Sequence, residues 1–247
     1  CDIHKLRSGK AIMGCCCNLK GRMQSLFYLF SHQNNYILAT SADLIEQTIA
    51  RLKQYSMFSK VTIEKSESGF AAYGLISSNS ELFNEDTDLS SISFSLEAQY
   101  LHIIFRMNDK LKVFSNASLQ PSDAFNFKLI LAGIPQLNQL SYEKFLPHEL
   151  NLEALGALDF DKGCYTGQEV VARLHYRGGL KQHLYIARLD STSPLPTYTD
   201  VQDSDQKTIG HVVNRAMWQN EHALLAVIRD DAKDDAWIEK KKLSLLG

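Results

Sequence analysis

The sequence predicts an α+β fold rather than a doubly wound parallel sheet, and three observations carry that reading. Two strand-like runs near the start are joined by a hairpin signal, an amphipathic helix follows them, and from about residue 180 the pattern changes to short β-rich runs separated by turn residues. At 247 residues, 45% hydrophobic and 22% charged, the chain can build a substantial core and fills one to three domains.

Residues 11–17 and 22–30 are the two opening runs, and Asn18-Leu19-Lys20-Gly21 between them suits positive φ in a hairpin turn. Ser41 then precedes Leu44, Ile45, Thr48, Ile49 and Leu52 at helical spacing. Asp43 and Glu46 fall in the first turn of that helix and Arg51 and Lys53 in the last, as the helix dipole favours. Strands are expected at 61–64 and 70–75, either side of a polar turn at 65–69, and again at 100–107 and 112–115. Residues 77–91 are polar and expected as a loop with a short helical piece. The apolar run 125–131, ending at Ala132-Gly133-Ile134-Pro135, suits strand and helix equally and is assigned only as core. Residues 169–174 are expected as a strand or short helix. Strands follow at 183–189, 208–213, 223–228 and 237–238, with the punctuated linker Ser191 to Pro196 among them. A boundary near residue 179 separates 1–179 from 180–247.

Five cysteines, at 1, 15, 16, 17 and 164, are an odd count without CxxC spacing, which indicates neither a disulfide framework nor a zinc site. Strand alternation puts Cys15 and Cys17 on one face and Cys16 on the other. Adjacent strand positions converge poorly on one metal, so these thiols are expected to act as small buried hydrophobes. A net charge of −2 argues against broad nucleic-acid binding. The concentrated basic stretch is Arg173, His175, Arg177, Lys181 and His183, suited to a small polyanion. No apolar run reaches membrane-spanning length and no secretory signal is present, so a cytoplasmic protein without membrane contact is expected. A first residue other than Met suggests numbering that begins inside a longer reading frame. Dinucleotide, P-loop, Ser/His/Asp and HExxH patterns are missing, and the eight histidines are scattered.

The stretch richest in chemistry is Lys162-Gly163-Cys164-Tyr165-Thr166-Gly167-Gln168-Glu169. Glycines at 163 and 167 permit a tight turn or close approach to a ligand, and Lys162 could lower the pKa of Cys164 and favour the thiolate. An ordinary half-buried thiol between turn glycines is the plainer alternative, and a thiol hydrolase is another.

This octapeptide, with Val170-Val171-Ala172-Arg173 and Tyr176-Arg177-Gly178, resembles the signature of the YgfZ family. Cys17 to Arg22 resembles that family's early hairpin and residues 55–63 its next block. Ala132 to Pro135 and Phe145-Leu146-Pro147 through Asn151-Leu152 lead into the octapeptide in the family's order. The resemblance covers nearly the whole chain, with no family motif in about 76–125. It implies a T-protein-like folate-binding fold over 1–179, in one or two subdomains and with further N-terminal structure, closed by a small C-terminal β-barrel over 180–247.

The resemblance further implies a folate-binding protein that supports iron–sulfur cluster assembly or repair and thereby tRNA modification. Tetrahydrofolate or another folate would meet Cys164, which would act as nucleophile, redox thiol or transient iron ligand. Lys162, Arg173 and Arg177 would favour the thiolate or hold folate carboxylates, and Gln168 and Glu169 would pair with the pterin edge. Tyr165 counts among the folate contacts, and Phe125 either stacks on the pterin or packs in the core. Partners are the folate and, transiently, iron–sulfur proteins; direct tRNA binding is not supported by the charge. The alternative is a one-carbon transferase like the glycine cleavage T-protein, whose related segment lacks the Cys-Tyr-x-Gly-Gln pattern. A binding module without activity is the third reading, and turnover is left open.

Overall fold

Strands β1 (Ala11–Cys17) and β2 (Met23–His32) form the expected antiparallel hairpin, and β3 (Asn35–Thr40) extends it to three strands. The structure is a computed structural model that describes all residues except 58, 67–68, 81–88, 108–116, 191–198 and 247. The hairpin turn is closed by Asn18, whose side-chain oxygen accepts from the N–H groups of Lys20 at 2.9 Å and Arg22 at 3.0 Å. Cys16 faces Ser25 but Cys17 faces Met23, which leaves Gln24 as an extra residue and makes a bulge in β2. Ala11, Met13 and Cys17, on alternate positions of β1, enter the main core.

A short 3-10 turn at Ala42–Leu44 leads into α1 (Ile45–Ser56). Ser41 does not cap it: its hydroxyl bonds the carbonyl of Leu137, and Asp43 accepts from the Gln139 N–H at 2.8 Å. The helix start is therefore held by tertiary bonds rather than by its own cap. No regular structure forms at 61–66, so the strand expected at 61–64 is absent; Val61 is exposed and no neighbouring strand pairs with it.

A second sheet holds β4 (Phe70–Ser77), β5 (Leu89–Leu96) and β6 (Gln99–Met107) in the order β4-β6-β5. Residues 89–91, expected as loop, belong to β5. Its serines at 90, 91, 93 and 95 mask the strand pattern, yet Ser90 and Ser91 are buried. His102 of β6 is fully buried and ties the sheet together. Its Nδ1 meets the Ser93 hydroxyl at 2.7 Å, and its Nε2 meets the Ser77 hydroxyl at 3.0 Å and the Asn79 carbonyl at 3.1 Å. The strand expected at 112–115 and the linker at 191–196 lie outside the described residues.

After helices α2 (Ser122–Leu131) and α3 (Gln168–Arg177), a nearly closed, barrel-like sheet of seven strands ends the chain. It contains β7 (Gln182–Leu189), β8 (Asp200–Gln202), β9 (Thr208–Trp218), β10 (Glu221–Arg229), β11 (Trp237–Ile238), β12 (Lys241–Lys242) and β13 (Ser244–Leu246), in the order β12-β11-β8-β9-β10-β7-β13. Leu224, Ala226 and Ile228 of β10 point into the barrel core, whereas Ala223, Leu225 and Val227 join the main core with α2. The ambiguous run 125–131 is thus part of a helix, packed against β4, β9 and β10, with Ala124, Phe127, Leu129 and Ile130 buried.

Buried Glu149 joins the regions: its carboxylate accepts from Leu146 N–H at 2.7 Å, Gln182 at 2.8 Å and Arg22 at 3.3 Å. Among the described residues no helix is long and apolar enough to cross a membrane.

Candidate functional site

The octapeptide runs as irregular chain into α3 and is docked on the hairpin turn by Gly167. That residue has φ of +82°, and a Cβ there would lie 2.5 Å from the Asn18 carbonyl oxygen and 3.0 Å from the Gly21 Cα. Only glycine permits both the left-handed backbone and the approach. Gly163 has open space around it instead. The Gln168 side chain accepts from Tyr165 N–H at 3.3 Å, steadying the loop from the first turn of α3.

Docking the loop there closes a cavity of about 540 Å³. Its walls are Cys15, Cys16 and Cys17 of β1, Arg51, Leu52 and Tyr55 of α1, the segment from Ala157 to Asp159, and Lys162, Cys164, Tyr165 and Thr166 of the octapeptide. With Cys1, all five cysteines line it. Cys164 is exposed at its edge, Cys15 and Cys16 are half-buried, and Cys17 is buried.

The polar groups of the wall are few and specifically held. Lys162 donates to the Cys1 carbonyl at 2.9 Å and lies 4.8 Å from the centre of the Tyr165 ring. Arg51 lies 4.8 Å over the Tyr55 ring and donates to the Cys17 carbonyl at 3.3 Å, while Tyr55 and Thr166 share a hydroxyl hydrogen bond of 3.0 Å. Asp159 is paired with Lys5, whose hydrogen bond holds its carboxyl below the usual carboxylate range. The Tyr165 hydroxyl is buried without a hydrogen-bond partner. Burial pushes its pKa up to about 12, helped by nearby Cys15, Cys17 and Asp159. A hydrogen bond with Cys17, then burial, pushes the Cys15 thiol well up. Burial likewise raises Cys16.

The structure brings Lys162, Cys164 and Tyr165 to one cavity, with Gln168 directly behind them. Glu169, Arg173 and Arg177 lie at fourfold spacing on the exposed face of α3. Phe125 lies elsewhere, on α2, packed so closely on Gly74 that a Cβ there would be 2.3 Å from its ring. Sequence reasoning passed over Cys15, Cys16, Cys17, Arg51, Tyr55 and Asp159. Arg51 reads as a helix-dipole cation until the fold brings it to the cavity. The block at 55–63 was the available signal for Tyr55.

A second cluster anchors α3 from behind. Glu153 stands 2.7 Å from His175 Nδ1 and 3.6 Å from His148 Nε2, and the Phe160 ring stacks on His175 at 3.9 Å. Burial pushes the His148 pKa down. Among the described residues, no group of three or more His, Cys, Asp or Glu is arranged to hold a metal ion.

No protein-family model matches the chain. Three relatives named tRNA-modifying protein YgfZ resemble it. The protein of Photobacterium profundum is 30% identical over 78% of this chain and 63% of its own length. That of Vibrio atlanticus is 29% identical over 95% and 77%, and that of Escherichia coli 29% over 79% and 65%. The chain thus spans less than two thirds of the first of these relatives. Among solved structures, the glycine cleavage system aminomethyltransferase T of Bartonella henselae superposes with a TM-score of 0.54, covering 98% of this chain and 75% of that one at 11% identity. The octapeptide, its cavity and these relatives agree: the chain is similar to the YgfZ proteins and is built on the T-protein fold.

Proposed function

We propose that this chain binds tetrahydrofolate or another folate in the octapeptide cavity and brings it to Cys164, in support of iron–sulfur cluster assembly or repair and, through that, of tRNA modification. The observation that carries the reading is the convergence of Lys162, Cys164 and Tyr165 on one cavity with Arg51 and Asp159. A volume of about 540 Å³ falls in the range of pockets for ligands of this size.

The residues present suit a folate. Phe27, Tyr55 and Tyr165 offer aromatic surface for a flat heterocycle. Asp159 offers a carboxylate to N–H donors, and the unpartnered Tyr165 hydroxyl offers a further hydrogen bond. Arg51 and Lys162 suit the glutamate carboxylates, and Arg173 and Arg177 add positive charge along α3 for a longer acidic tail. Gln168 holds the loop that carries Tyr165, and Glu169 opens the exposed face of α3. A bound folate supplies one-carbon chemistry. Cys164, exposed at the cavity edge, supplies a thiol that can meet both the cavity and a client iron–sulfur protein, the cluster being the cargo. A cytoplasmic setting, where thiols stay reduced, belongs to the same reading.

Two measurements test it on the full-length protein. Calorimetry with tetrahydrofolate should show saturable binding that weakens at least about tenfold in Arg51→Ala and persists in Cys164→Ala. In cells, Cys164→Ser should fail to sustain iron–sulfur enzymes. No saturable binding would leave a structural module, full support by Cys164→Ser would remove the thiol's role, and methylene transfer from a lipoyl-protein donor would place the chain with the transferases.

A further inference from the structure

Every cysteine of this chain borders the same cavity, although the five come from three separate places in the sequence. Cys15 and Cys17 occupy alternate positions of β1, and so share a face, and both line the cavity, where Cys17 acts on the Cys15 thiol. Cys16, on the intervening position of β1, pairs across the hairpin with Ser25. Beside the pair stands the Tyr165 hydroxyl, buried and without a hydrogen-bond partner. Two sulfurs at the wall of an open cavity form a donor pair that the folate reading does not use.

We propose that Cys15 and Cys17 form a two-coordinate site for a soft monovalent metal ion of the copper(I) class. Paired thiolates select soft ions over hard ones. Because no three of the described His, Cys, Asp or Glu residues are arranged around a common point, a tetrahedral zinc set is not available, and two-sulfur ligation is what β1 can offer. On binding, the two S–H bonds break, both protons leave to solvent, two Cu–S bonds form and copper stays in its +1 state. The complex carries one net negative charge. Lys162, whose field already acts on Cys15, offsets it. Since the ion displaces protons, affinity falls as the pH is lowered. The site stands independently of folate binding.

The test is anaerobic titration of the reduced, full-length protein with copper(I) against bathocuproine disulfonate. One copper per chain is expected. Affinity should drop more than roughly 100-fold in Cys15→Ser and in Cys17→Ser, and be retained in Cys16→Ser and Cys164→Ser, with folding of each checked by circular dichroism. X-ray absorption of the copper-loaded wild type, which needs no variant, should show a shell of two sulfurs. Absence of copper binding, a shell of three or four sulfurs, or equal loss in Cys16→Ser or Cys164→Ser would overturn the assignment.

Discussion

Gly167 decides whether the reactive loop can sit where it does. Replacing it with Ala forces a side chain into the left-handed region and sets a Cβ 2.5 Å from the Asn18 carbonyl. A loss of about 1–3 kcal/mol is expected in urea denaturation, with Gly163→Ala, which has open space, near neutral. Tyr165 runs the opposite way. Its buried hydroxyl has no partner, so Tyr165→Phe should raise the stability of the ligand-free protein by about 1 kcal/mol. An unchanged or lower denaturation midpoint would contradict that. At this scale the sequence was informative where residue type is itself the chemistry, as with Cys164. It was silent where position alone confers a role: Arg51 and Asp159 look like ordinary surface charges, and Phe125 looks the same whether it faces a ligand or Gly74.

Elements here are secured by a few buried polar groups that link distant segments. Glu149 bonds Leu146, Arg22 and Gln182, so Glu149→Ala strands three donors and should cost roughly 2–4 kcal/mol by chemical denaturation, with Glu149→Gln milder. The histidines make stability depend on pH. Burial lowers the pKa of His148 and of His102, so below the ordinary value of 6.5 the unfolded chain binds protons that the folded one refuses. Stability is then complete above about pH 6.5 and declines as pH falls below it. The urea midpoint should drop between pH 7.5 and about 5.5, and His102→Gln should flatten that slope. The depressed carboxyl of Asp159 acts in the same direction, but in the lower window below its ordinary 3.8. Periodicity made the hairpin, α1 and the long barrel strands legible. It failed for β5, where buried serines carry the strand, and for 61–64, where an apolar residue has no neighbour to pair with. For α2, packing against β4, β9 and β10 buries residues 124, 127, 129 and 130, which do not follow the single stripe by which amphipathic helices are recognised.

Across the whole molecule, the barrel-like sheet and the rest of the chain share apolar surface. Val213, Ala216, Ala223, Leu225 and Val227 belong to the same core as Phe30, Ile130 and Leu150. Residues 1–179 expressed alone would leave α2 uncovered and are expected to aggregate or stay molten, whereas the intact chain should unfold in one calorimetric transition. Two well-separated transitions would show that this shared core couples the regions only weakly. The cavity wall has a further consequence for biosynthesis. Its thiols on β1 are made before the loop that covers them, which reaches residue 166, so synthesis must pass that point before the wall can close. Until then, Cys15, Cys16 and Cys17 are open to oxidants and to chaperones, and the reducing power of the surroundings in that interval governs how many chains reach the native state.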